Sequence, residues 1–369
     1  MTGRERLNAV LHQRRKDRLP WTTLVDEAAL ALQPEELRGN GGMDFYRHLG
    51  CDVFLLNGWG TEHTFDSPRL CWPDTVEVVR RAEPGRTTVE WRTPKRVLTQ
   101  VSQNGHPVKY PVDSLEAVQT YRELWEGVSF QADFAKDQAT LSALNRLIND
   151  DGVVTRFWGS STIPRLLEED MGAENFYYLM ADHPEEVEGL ITTIHEHELE
   201  AFRILSEGPW DSVTLIENTS TFYISPDIYK RFNMPHQRAF VEQVKSQGKV
   251  ALLHMCGHVH GLLDLIKETR CDGIHTLTPS PTGDTPWEEA LDVLGEDLII
   301  LGCLDPSTWI TGPLKDIPAT LDRLITPRLR EANFILNPMA DGIPVEPARF
   351  AAVAAWVRAN SPVTEQWKN

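Results

Sequence analysis

The stretch Lys249-Val250-Ala251-Leu252-Leu253-His254-Met255-Cys256-Gly257-His258 carries a short apolar run that stops on a histidine, a cysteine and a glycine. A run of that length between helix-like segments reads as a strand buried on both faces, as in parallel α/β sheets. Seven further runs repeat the pattern, at residues 19–25, 52–56, 153–158, 212–216, 273–277, 298–301 and 334–337. Between them, segments 184–205, 226–247, 261–269, 287–294 and 317–330 place apolar residues at helical spacing. Eight βα units predict an α/β fold, a (β/α)8 TIM barrel, ahead of a doubly wound open sheet, with residues 1–369 as one domain. The pattern breaks at about 66–111, where 75–81 and 87–92 alternate around Glu83-Pro84-Gly85-Arg86. This predicts a β-hairpin insertion after the second strand, with a further strand at 96–101. The tail after Val357 is expected to fray.

Composition narrows the function classes. Asp and Glu outnumber Lys and Arg by 54 to 36, a net charge of −18 that repels nucleic-acid phosphates and anionic membrane surfaces. No run approaches the roughly 18 apolar residues that span a bilayer. The opening Met1-Thr2-Gly3-Arg4-Glu5-Arg6 has no apolar export signal. Five cysteines in so long a chain read as thiols of a reducing compartment, which points to the cytoplasm.

In a barrel the chemistry sits at the carboxyl ends of the strands. The residues that follow the runs are Asp26 and Glu27, Asn57 with Trp59, Trp158 to Ser161, Glu217 and Asn218, His254 and Cys256, His275 and Thr276, Cys303 and Asp305, and Asp341. Extended geometry would turn His254 and Cys256 the same way, giving half a zinc site. Glu217, Cys303 and Asp341 are candidates to complete it. Packed core residues are the plain alternative for the same pair, and His258 and His260 read as the opening of the next helix. Trp59, Trp158 and Phe222 could form a stacking wall for a pterin or aromatic ring, or simply belong to core and rim. Arg156 within a strand needs a partner, and Arg165 is a candidate anchor for a carboxylate tail. Ser225 and Pro226 read as the N-cap and first residue of a helix, and Gly283-Asp284 as another helix start without chemistry.

Five segments in order carry a family resemblance: Thr2-Gly3-Arg4-Glu5-Arg6-Leu7 with Asp17-Arg18-Leu19-Pro20; His254-Met255-Cys256-Gly257; Leu277 to Asp284; Gly302-Cys303-Leu304-Asp305-Pro306; and Gly342-Ile343-Pro344. Together the chain resembles the uroporphyrinogen decarboxylase superfamily, and within it the cobalamin-dependent methyltransferases. The resemblance implies a barrel that moves a methyl group between a corrinoid protein and a thiol or tetrahydrofolate acceptor. It also implies zinc held through His254 and Cys256, with Asp341 where the relatives place a further cysteine. Trp21-Thr22-Thr23 and Asn57-Gly58-Trp59 replace the features that hold a porphyrinogen in the true decarboxylases. Decarboxylation of a porphyrin-like acid, or a non-catalytic barrel that binds a small ligand, are the alternatives.

On this reading His254, Cys256, Glu217 and Cys303 are the metal-ligating set and Glu217, Asp341 and Asn218 the catalytic one. Asp26, Asn57, Trp59 and Trp158 are the cofactor-contacting residues, with Asn218 or Asp305 orienting ligands. For a folate, a carboxylate such as Asp26, Glu217 or Asp341 would handle the proton. No D-x-H-x-x-G segment of the corrinoid-binding kind is present, so the corrinoid is expected on a separate protein partner. A homodimer is a further expectation, with no stretch that reads as its interface.

Overall fold

In the computed structural model, which describes residues 1–340 and 342–360, seven parallel strands follow one another round a curled, barrel-like sheet. They are β1 (Val53–Leu56), β2 (Gly152–Trp158), β3 (Ser212–Ile216), β4 (Val250–His254), β5 (Gly273–Leu277), β6 (Ile299–Gly302) and β7 (Phe334–Leu336), each paired with its neighbours in that order. Helices such as Pro184–Glu207, Met234–Ser246 and Trp287–Leu294 cover the outer face. Burial on both faces is why these strands read as mostly apolar runs without strict alternation.

The eighth run behaves differently. Residues 19–25 form no strand; a single parallel bridge joins Trp21 to Leu336. The backbone still ties both edges of the sheet together: Thr22 N–H and Pro20 O bond Leu336, and Trp21 O accepts from Asp52 N–H just before β1. The reason lies in Pro20, which has no N–H and cannot extend a ladder.

Around this seam the charges are buried. Asp52, 1% exposed, takes Arg6 Nη1 at 2.5 Å, Arg18 Nη2 at 2.9 Å and the Trp21 N–H at 3.3 Å. Arg6 comes from the helix Gly3–Leu11, whose Leu7, Val10 and Leu11 join Leu252, Leu301 and Ile335 in the cluster that fills the barrel. A Thr2–Glu5 capping box starts that helix.

Between β1 and β2 the chain departs from the sequence reading in extent. Glu77–Glu83, Arg86–Arg92, Val97–Gln103 and His106–Lys109 form a four-stranded antiparallel sheet, so the last strand was not anticipated. Helices Leu115–Glu126 and Phe134–Ile148 follow before β2. The helix expected over 317–330 is two, Ile317–Leu324 and Pro327–Glu331, because Pro327 stops the first and Thr326 caps the second. At the far end the helix Pro347–Asn360 runs past Val357, and the rest of the tail lies outside the described residues. Among the described residues no helix is long and apolar enough to cross a membrane.

Removing the buried acceptor that two arginines share leaves Arg18 without its ion-pair partner and Arg6 with Asp17 alone. Asp52→Ala is therefore expected to lower unfolding free energy in urea by about 3–5 kcal/mol. A loss below about 1 kcal/mol, the scale of an exposed ion pair, would mean that closure does not depend on this carboxylate.

Candidate functional site

Strand alternation decides which side chains reach the barrel interior. On β2, Phe157 points inward, its ring 5.4 Å from that of His254 and 5.8 Å from that of His275. Its neighbour Trp158 therefore points outward, edge-on to Phe130 and to Phe202 of the helix layer. Trp158 packs between sheet and helices, so its expected place in a stacking wall is corrected. Arg156 faces the same outer layer, bonding Ser67 O and Asn57 Oδ1. Burial lowers its pKa to about 10.

His254 and His275 are partners in register across β4 and β5, and their Nδ1 atoms lie 2.7 Å apart. Burial pushes His254 down to about 4 and lowers His275 as well, so both rings are neutral at pH 7. A register shift between His275 and Leu277 brings Thr276, in left-handed backbone at φ 64°, up to His254. The Thr276 hydroxyl has one proton, which it gives to His275 O at 2.6 Å. Thr276 Oγ1 also lies 2.9 Å from His254 Nδ1, so that ring nitrogen is held between the Thr276 hydroxyl and His275 Nδ1.

Above this pair the strand ends diverge. Glu217 and Asn218 both donate their backbone N–H to His254 O. Asn218 then takes a positive φ of 42°, which sends the two side chains to different places. Glu217, 0% exposed, turns into the helix layer, where Gln237 Nε2 donates to it at 2.6 Å. Burial pushes Glu217 up to about 7.

Asn218 faces the mouth. Its Oδ1 lies 3.8 Å from the Cys256 thiol, and its Nδ2 donates to Glu168 Oε2 at 3.1 Å. Tyr223 donates its hydroxyl to Asn218 O, and Tyr177 donates to Tyr223 O. Burial raises Glu168 above the usual carboxylate range, against the pull of the Asn218 hydrogen bond. Reading only the residues next to each strand misses Glu168: it sits in a π-helical turn, Leu166–Asp170, well past the end of β2. The acidic run Glu168-Glu169-Asp170 was its one sequence signal.

Other candidates are held for backbone reasons. Asp26 caps Ala29 N at 2.7 Å and takes Gly342 N at 2.8 Å, which occupies both carboxylate oxygens. Asn57 bridges β1 to β2 through Phe157 N and O. Asp305 accepts from Thr282 N and Thr308 N, and Asp284 from Val259 N and His260 N. Arg165 lies 3.6 Å from buried Glu198 and over the Trp125 ring, turned away from any carboxylate tail at the mouth. Ser225 caps its helix as read, accepting from Ile228 N. Trp59 stands 37% exposed in the turn after β1, and Phe222 is exposed with its ring against His258.

The four expected metal ligands do not assemble. Among the described residues no three His, Cys, Asp or Glu side chains are placed to hold a metal ion. Glu217 faces away, Cys303 is buried with its thiol on Leu304 O and raised to about 11 by that burial, and His254 and Cys256 have different partners. Asp341 lies outside the described residues.

Residues 162–360, more than half of the chain, match the family model for uroporphyrinogen decarboxylase (URO-D). Two relatives are 20% identical. One is the methylcobamide:CoM methyltransferase MtbA of Methanosarcina mazei, matched over 281 residues, 72% of this chain and 81% of the relative. The other is its namesake in Methanosarcina acetivorans, matched over 315 residues, 83% of each. A solved methyltransferase from Methanosarcina mazei shares the fold, with a TM-score of 0.58 at 13% identity over 97% of this chain and 98% of that one.

Glu217 supplies a test of the buried layer. Its folded pKa of about 7 lies above the unfolded value, so its contribution is complete at low pH and is lost as pH rises through about 7. Glu217→Gln, which cannot ionise, is expected to gain thermal stability relative to the parent between pH 5 and pH 8. A melting-temperature difference that stays flat over that window would show that Glu217 is not buried as described.

Proposed function

Since the chain belongs to the uroporphyrinogen decarboxylase family, we propose that it is a methyltransferase acting at the barrel mouth as a single-domain enzyme. It passes a methyl group between a corrinoid held by a separate protein and a thiol or tetrahydrofolate acceptor. The names of two relatives support the corrinoid chemistry, and the order of the sequence motifs supports the branch. The observation that carries the reading is the line Cys256, Asn218, Glu168 at the carboxyl end of the strands. A polar nucleophile that sheds a proton needs an acid-base group beside it, and this line offers one.

The described side chains do not fit a catalytic zinc ion, which takes three protein ligands and an open position. They offer the His254 ring and the Cys256 thiol, and among the described residues no third donor is grouped with them. Zinc, when bound at such a site, ionises a thiol acceptor. What these residues supply is hydrogen bonding and proton transfer. Because Asp341 lies outside the described residues, elemental analysis of protein purified without chelator is the test: well under one zinc per chain would match the described side chains. One equivalent that disappears in His254→Ala would reverse this and favour the zinc-assisted thiol reaction.

The activity itself is tested with methylcobalamin as donor, following loss of the methyl–cobalt absorbance with a thiol or with tetrahydrofolate. Enzyme-dependent demethylation with one of the two acceptors is expected. No demethylation with either would overturn the methyl-transfer reading.

A further inference from the structure

We propose that the carboxylate of Glu168 takes the proton that the acceptor must lose during methyl transfer, and that Asn218 is the positioning residue that aims it. The inference rests on the methyl-transfer reading. Either acceptor brings one proton on its nucleophilic atom. As the sulfur or nitrogen lone pair forms the bond to the methyl carbon, the carbon–cobalt bond breaks and its electron pair stays on the metal, taking Co(III) to Co(I). The S–H or N–H bond breaks toward Glu168, which ends the step as a neutral carboxylic acid.

Among the described carboxylates considered for this role, the geometry singles out this residue. Asp26 and Asp305 spend their oxygens on backbone N–H groups, and Glu217 is turned into the helix layer. Glu168 is half-buried, with Oε2 held by Asn218 Nδ2; among the described residues Oε1 has no hydrogen-bond partner. Asn218 is itself fixed on two sides: its carbonyl accepts the Tyr223 hydroxyl and its backbone N–H bonds His254 O. With the backbone held there, its amide points its nitrogen at Glu168 and its oxygen at Cys256. The groups that face Glu168 are Glu169 from its own turn, Asn218 and Tyr223 from the loop after β3, and Cys256, whose thiol lies on the other side of the Asn218 amide. Burial makes Glu168 a stronger base than an exposed carboxylate, while Asn218 stabilises its ionised form.

The test is steady-state methyl transfer from methylcobalamin to whichever acceptor the wild-type protein uses, from pH 5 to pH 9. Glu168→Gln is expected to lose roughly 100-fold in kcat with a KM for acceptor within a few-fold of the parent, the usual scale for a lost acid-base group. It should also lose the rise of kcat/KM with pH that titration of Glu168 gives the parent. Asn218→Gly keeps the positive φ and removes the amide, so the rise should persist but move to higher pH, as the carboxylate loses its donor. A Glu168→Gln enzyme that keeps its rate and its pH profile overturns the proton role alone. Should that variant fold poorly by circular dichroism, an Asn218→Gly profile unmoved from the parent does the same. Wild-type protein inactive with both acceptors overturns the methyl-transfer reading and the proton role with it.

Discussion

Closure of the sheet at Trp21 is the constraint on which the site depends. Two sheet edges, β1 and β7, meet through residues 19–25, which among the described residues make a single bridge, Pro20 lacking the donor that would extend it. Hydrogen bonds alone are few there, and the buried carboxylate of Asp52 makes up the difference by joining Arg6, Arg18 and the Trp21 backbone. Closing the ring holds β4 and β5 in the register that sets His254 opposite His275.

From that register the mouth follows by local backbone geometry. Two residues in left-handed conformation, Asn218 and Thr276, break the alternation of their strands at the point where it matters. One turns an amide toward the cleft while its neighbour Glu217 is buried; the other delivers a hydroxyl to the His254 ring. Both are non-glycine residues in a conformation that costs energy, which is the kind of local strain that functional sites retain.

Much of the architecture was legible in the sequence, and the exceptions have physical causes. The seven strands could be read because parallel strands buried on both faces leave short, mostly apolar runs. Residues 19–25 form a run of similar length, but Pro20 within it removes a ladder donor, which a count of apolar residues does not weigh. At the site, His254, Cys256 and Asn218 were found because they stand directly after strands. Glu217 and Trp158 stand there too and yet face the helices, since one residue of register reverses a side chain. Asp26 and Asn57 are polar for the sake of the backbone. Glu168 was hidden because its approach to Asn218 depends on a π turn and on a contact 50 residues apart.

The seam also sets an order of events during synthesis. Thr23 and its carbonyl partner at Pro338 are separated by 315 positions. At ribosomal speeds of about 5–20 residues per second, the early segment leaves the exit tunnel roughly 15 to 60 s before its partner exists. Through that interval β1 has an open edge and the apolar face of the first helix has no barrel to fill. The nascent chain is thus at its most aggregation-prone while it is still being made, and the last strand to emerge is the one that ends the exposure.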